Sequence, residues 1–168
     1  MESGKKISVI VPCFNEEESL ATFNQTLIQF LPENYAYEII YINDGSKDNT
    51  FQVILSLANN NPNIRYISFS RNFGHQNALK AGYDFATGDC AISLDADLQH
   101  PPSVIPELIA KWEEGFEIVN TIRQDHQSIS YAKKVSSGLF YQIMKRLSDV
   151  EIENGMADWR LVVRRVRK

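Results

Sequence analysis

The sequence is poor in several features that would commit it to a class. It holds two cysteines, Cys13 and Cys90, and three histidines. Two isolated thiols give little support to a disulfide framework or a Cys-rich metal site. Each sits in or beside an apolar stretch, the usual place for an inert, reduced thiol. No apolar run approaches the roughly 18 residues needed to cross a bilayer, and Lys5 and Lys6 before a short apolar run do not make a signal peptide. A cytoplasmic protein is the expectation. The formal net charge of −4 lacks the basic footprint of nucleic-acid binders, so no nucleic-acid partner is expected. Neither G-x-x-x-x-G-K-[ST] nor G-x-G-x-x-G occurs, which removes the fingerprints of P-loop and dinucleotide sites. Internal repeats and low-complexity tracts are also missing. What remains is an ordinary globular composition, 43% hydrophobic and 23% charged over 168 residues, read as one domain over 1–168.

Short apolar runs alternate with helical periodicity. Residues 7–12, 38–43, 64–69 and 90–94 read as strands, and 117–122 as a fifth. Leu20, Phe23, Leu27 and Leu31 recur at helical spacing, and Asn15 with Glu18 fits an N-cap and capping box for that helix. Further helices are expected over 50–58, 75–86, 102–114 (starting at a proline) and 131–147. The alternation argues for βαβ units, hence an α/β fold with a mainly parallel sheet.

In such sheets, ligands bind outside the carboxyl ends of the strands. Here those ends carry polar runs: Pro12-Cys13-Phe14-Asn15-Glu16-Glu17, Asn43-Asp44-Gly45-Ser46, Ser70-Arg71-Asn72-Phe73-Gly74-His75 and Asp95-Ala96-Asp97-Leu98-Gln99-His100. Singly, each is better explained as a turn or a cap. Jointly they require four coincidences. Asp95 and Asp97 at i and i+2 on extended backbone point to one side, their Cα atoms roughly 6.5–7 Å apart. Paired carboxylates after a buried strand suit Mg²⁺ or Mn²⁺, whose shell substrate phosphates and water complete.

These runs, collinear over nearly the whole chain, resemble inverting family-2 glycosyltransferases. Ser70-Arg71-Asn72-Phe73-Gly74 and Ala81-Gly82 are similar to the branch with dolichyl-phosphate mannosyltransferases and bactoprenol glycosyltransferases. The resemblance implies the GT-A fold, a Rossmann-like three-layer sandwich. It implies a UDP- or GDP-sugar donor and Mg²⁺ or Mn²⁺. Carried over, Pro12, Phe14, Asn15 and Glu17 border the nucleotide, Asp44 bonds the base or ribose, Asp95 and Asp97 meet the metal and diphosphate, and Ala96 belongs with the donor-binding residues. Asp95, Asp97 and Gln99 form the metal side. Arg71 and Arg123 suit phosphate contacts, since a guanidinium fork matches phosphate geometry, although a solvated surface role serves each alone. His75, His100 and His126 lack metal-type spacing.

Ala157-Asp158-Trp159-Arg160-Leu161 resembles the branch's Asp-Phe-Arg-Leu segment, with Trp for Phe, and this makes Asp158 the acceptor-facing carboxylate. Family members normally continue past this segment, so the acceptor side is expected to be incomplete. The implied reaction is inverting transfer to a polyprenyl phosphate or a saccharide hydroxyl, with peripheral contact at the cytoplasmic membrane face. The alternative is a nucleotide-sugar-binding domain without transfer activity.

Overall fold

The computed structural model describes residues 4–96, 102–122 and 156–166. The chain divides into two compact units, Met1–Asn120 with Asp158–Lys168, and Thr121–Ala157. Of the second unit, only the adjoining ends of two strands are described, and the expected helix over 131–147 lies outside the described residues.

The first unit is built on strands β1 (Lys6–Cys13), β2 (Ala36–Asn43), β3 (Ile64–Ser68) and β4 (Cys90–Ser93). β5 (Ile118–Ile122) and β6 (Met156–Val163) join them in one sheet of order β3-β2-β1-β4-β6-β5. β1 pairs in parallel with β2 and β4, and β2 with β3. Every residue of β1 after Lys6 is buried, as a central parallel strand with both faces covered requires. β6, absent from the strands expected from sequence, runs antiparallel to β4 with Ser93 opposite Arg160.

Helices cover both faces. α1 (Leu20–Phe30) buries Leu20, Phe23, Asn24 and Leu27, one stripe of helical spacing, and Asn24 accepts a bond from the Tyr41 hydroxyl at 2.9 Å. α2 (Thr50–Asn60) follows β2, burying Thr50 and Ile54. α3 (His75–Phe85) packs Ala78 and Leu79 on the opposite face, against Ile10, Ile40, Ile42 and Ala91. It approaches so closely that a Cβ on Gly82 would meet Ile10 Cγ2 at 2.3 Å. A 3-10 turn at Pro102–Val104 leads into α4 (Ile105–Glu113).

The capping box expected at Asn15 does not form. Asn15 adopts a left-handed φ of 57°, and α1 starts at Leu20 after Ser19. Asn15 instead serves the next loop, as described below.

At the amino end of the sheet, Glu38 is only 3% exposed. It accepts bonds from the Ser8 hydroxyl at 2.6 Å and the Thr87 backbone N–H at 2.7 Å, with Lys6 and Arg65 each at 3.1 Å. Burial alone would raise this carboxyl, but the bonds from Ser8, Thr87 and Lys6 outweigh it and hold the pKa near about 2.

Candidate active site

A crevice of about 370 Å³ opens at the carboxyl ends of β1, β2 and β4. Pro12 and Phe14 at the end of β1, Asp44 after β2, and Asp95 with Ala96 after β4 line it together. Four segments distant in sequence meet there because each leaves the same edge of a parallel sheet. Of the residues expected to contact a donor, Pro12, Phe14, Asp44, Asp95 and Ala96 are brought together. Asp97, Gln99 and Arg123 lie outside the described residues, and Asp158 is described only as backbone in β6.

Asn15 and Glu17 take a different position. Asn15 Oδ1 accepts from the Lys47 N–H at 2.9 Å, and Glu17 Oε2 from the Asn49 N–H at 2.7 Å. In return Ser46 Oγ accepts from the Asn15 N–H and Asp48 Oδ2 from the Glu17 N–H. The loops after β1 and β2 are thus laced by backbone donors and side-chain acceptors. Burial pushes the Asp48 carboxyl up, but bonds from the Thr50 hydroxyl and backbone prevail and lower its pKa. Asn15 and Glu17 face a separate hollow of about 280 Å³ beside Asp48.

Asp44 is 3% exposed, and its carboxylate accepts from the Phe73 N–H at 2.7 Å and the Gly74 N–H at 3.0 Å. Gly45, at φ +65°, lies so close to Arg71 that a Cβ would sit 2.2 Å from the Arg71 carbonyl carbon. The end of β2 therefore fixes the loop ahead of α3. Arg71 lies outside the crevice lining, its guanidinium 4.8 Å above the Phe73 ring.

Sequence reasoning assigned no role to His75, which lines the crevice with Glu16 and Asn72. Its Nε2 lies 3.7 Å from Asp95 Oδ1, and the Trp159 indole N–H donates to Asp95 Oδ2 at 3.2 Å. The signal available was position: His75 opens the helix that follows β3, at the same edge as the other runs. Cys13 also lines the crevice, where burial, and then the charge of Glu16, push its thiol well up. It stays protonated and is no nucleophile.

Among the described residues, no three His, Cys, Asp or Glu side chains gather as a metal-holding group. Asp95 is the described member of the expected metal side, a half-exposed carboxylate in an open crevice. Its oxygen donors fit Mg²⁺ or Mn²⁺.

The family described as "Glycosyl transferase family 2" matches residues 8–167. A prophage bactoprenol glucosyl transferase homolog of Escherichia coli is 44% identical over 162 residues, 96% of this chain and 53% of that protein. The bactoprenol glucosyl transferase of Shigella phage SfV is 43% identical over the same shares. The chain thus spans about half the length of these curated relatives. Glucosyl-3-phosphoglycerate synthase from Mycobacterium tuberculosis was solved with Mn²⁺, UDP-glucose and phosphoglyceric acid. It superposes with a TM-score of 0.68 at 18% identity, over 98% of this chain and 59% of that one. The fold is that of the GT-A glycosyltransferases, and the chain belongs to glycosyl transferase family 2.

Proposed function

We propose that the first unit is a donor domain whose crevice binds a UDP- or GDP-sugar with a divalent cation, and that the protein transfers the sugar with inversion to a polyprenyl phosphate. The observation that carries this is the convergence of Pro12, Phe14, Asp44, Asp95 and Ala96 from three strand ends on one crevice. The relatives' names, bactoprenol glucosyl transferase, support the acceptor class, and the Mn²⁺ and UDP-glucose in the solved neighbour support the donor and metal.

Asp95, with Asp97 and Gln99, would hold the cation. When bound, it supplies a Lewis acid for the charge that builds on the leaving diphosphate. Phe14, 41% exposed at the crevice wall, offers a ring face to the nucleotide. Trp159 and His75 orient the Asp95 carboxylate. In the transfer, an acceptor oxygen forms the new bond to the anomeric carbon as the bond to the diphosphate breaks, through an oxocarbenium-like state. A phosphate acceptor, with its second pKa near about 6, is already largely ionised and needs little help from a base. Asp158 then positions groups. For a sugar hydroxyl it must take the proton.

A polyprenyl phosphate acceptor places the protein at the cytoplasmic membrane face. No helix among the described residues is long and apolar enough to cross a membrane.

A thermal-shift series with UDP, GDP and their sugars, with and without Mn²⁺, tests the donor half. A Mn²⁺-dependent rise with one nucleotide class is expected, and no rise with any of them overturns it. Transfer of label to undecaprenyl phosphate tests the enzyme. Donor binding with neither transfer nor hydrolysis would mark a binding domain. Asp158→Asn is expected to abolish transfer to saccharide hydroxyls and only weaken transfer to lipid phosphate. Complete loss on both refutes the positioning role.

A further inference from the structure

β6 brings one buried donor group to the carboxyl end of β4. Its antiparallel register sets Arg160 opposite Ser93 and Leu161 opposite Ile92. Trp159 and Leu161 are buried and Arg160 between them is half-buried, the alternation of a strand with one covered face. A slip of one residue would put Arg160 in place of Trp159, so the pairing of the whole strand fixes the indole. There its N–H donates to Asp95 Oδ2 at 3.2 Å.

Asp95 lines the donor crevice and Trp159 does not, so the indole acts on a bound group only through the carboxylate. An indole N–H donates and never accepts, so Oδ2 shares its lone pairs with a permanent donor. Oδ1, with His75 Nε2 at 3.7 Å, is the oxygen left to a cation. A chelating carboxylate needs both oxygens at once and holds them at a narrow angle. Mg²⁺ demands a near-ideal octahedron, which single-oxygen ligands satisfy best, and Mn²⁺ takes similar octahedral oxygen sites. Ca²⁺, with more ligands in a flexible shell, accepts either mode. Phenylalanine, which stands at this place in the segment that Ala157–Leu161 resembles, would fill much of the same space without the N–H.

We propose that Trp159 is a positioning residue that sets the cation preference of the donor crevice. By engaging Asp95 Oδ2 it makes Asp95 a ligand through one oxygen, and so favours Mg²⁺ or Mn²⁺ over Ca²⁺. The selectivity thus originates in β6, from a residue that touches neither the nucleotide nor the cation. The proposal rests on the donor reading above and adds to it the group that decides which divalent ion the crevice accepts.

The nucleoside diphosphate that binds wild type, UDP or GDP, is titrated calorimetrically with Mn²⁺ and separately with Ca²⁺, in wild type and in Trp159→Phe. The Mn²⁺-supported affinity is expected to fall at least about fivefold in the variant, with the Ca²⁺-supported affinity unchanged or higher. Loss of packing alone would weaken both alike. Ca²⁺ no more effective relative to Mn²⁺ in the variant than in wild type overturns the proposal. A second measurement does not depend on the folding of Trp159→Phe. The protein has two tryptophans, and Trp112, on α4 against Tyr35 and Lys5, lies outside the crevice lining. Trp112→Phe leaves Trp159 as the single indole. Its emission is expected to be quenched by paramagnetic Mn²⁺ bound with the nucleotide and largely kept with Mg²⁺. Equal emission with the two ions, both bound, overturns the proposal. If no nucleotide binds wild type with Mn²⁺, the donor reading falls and this proposal with it. Mn²⁺-dependent binding with either adverse result above overturns the role of Trp159 alone.

Discussion

The two ends of the central sheet each carry a carboxylate, and the two are built in opposite ways. At the amino end Glu38 is almost inaccessible, with Ser8, Thr87, Lys6 and Arg65 all turned towards it. At the carboxyl end the Asp95 side chain is 33% exposed and, among the described residues, is held by Trp159, with His75 at 3.7 Å. A carboxylate whose lone pairs are all occupied by the protein has nothing left for a ligand. One held in place by one good bond keeps acceptor capacity for a cation. Saturation marks the amino end of the sheet, and partial satisfaction marks the end proposed to be reactive.

The contrast is open to attack from both sides. Glu38→Gln leaves Lys6 and Arg65 facing a neutral amide, and at pH 7 it is expected to cost about 3 kcal/mol in urea unfolding. A loss within experimental error would show that the network is ornamental. The pH dependence follows. Glu38 is held below its unfolded value of 4.5, at about 2, so its contribution is complete above about pH 4.5 and disappears as the pH falls towards 2. Wild type should lose about 3 kcal/mol across that window, and Glu38→Gln should show a much flatter profile.

At the reactive end the backbone is the rigid part. Gly45→Ala forces a Cβ into the Arg71 backbone at a left-handed φ, with an expected loss of about 2–3 kcal/mol and weakened nucleotide binding. Asp44→Asn replaces one acceptor of the Phe73 and Gly74 N–H groups by a donor. It should lower stability by about 1–2 kcal/mol, read from the thermal midpoint. The smallest stability change, under about 1 kcal/mol, is expected for Asp95→Asn, which should still reduce Mn²⁺-dependent UDP affinity at least about tenfold by calorimetry. A large stability loss with intact UDP affinity would reverse the assignment of the two ends.

The sequence makes some of this contrast legible. Short apolar runs mark β1 to β5, and the polar runs after β1 to β4 mark the crevice edge. Glu38 reads only as the first residue of a strand, because its partners lie 30, 49 and 27 residues away. The start of α1 is misread for a related reason. Asn15 and Glu18 satisfy the local rule for a capping box, but Asn15 accepts from Lys47, a contact made only once β1 and β2 are side by side. β6 is hidden because an antiparallel strand entering between β4 and β5 has no signature in the order of the segments. His75 has no motif at all; it becomes recognisable through its distance to Asp95.

The positions of the two thiols follow from the sheet as well. Cys13 ends β1 beside the crevice, and Cys90 begins β4 at the opposite end of the sheet; both are buried. A thiol reagent can reach either one only during a transient opening of its surroundings. The chain thus carries two built-in clocks, one for each end of the sheet. Their labelling rates report separately how often the saturated end and the reactive end come apart.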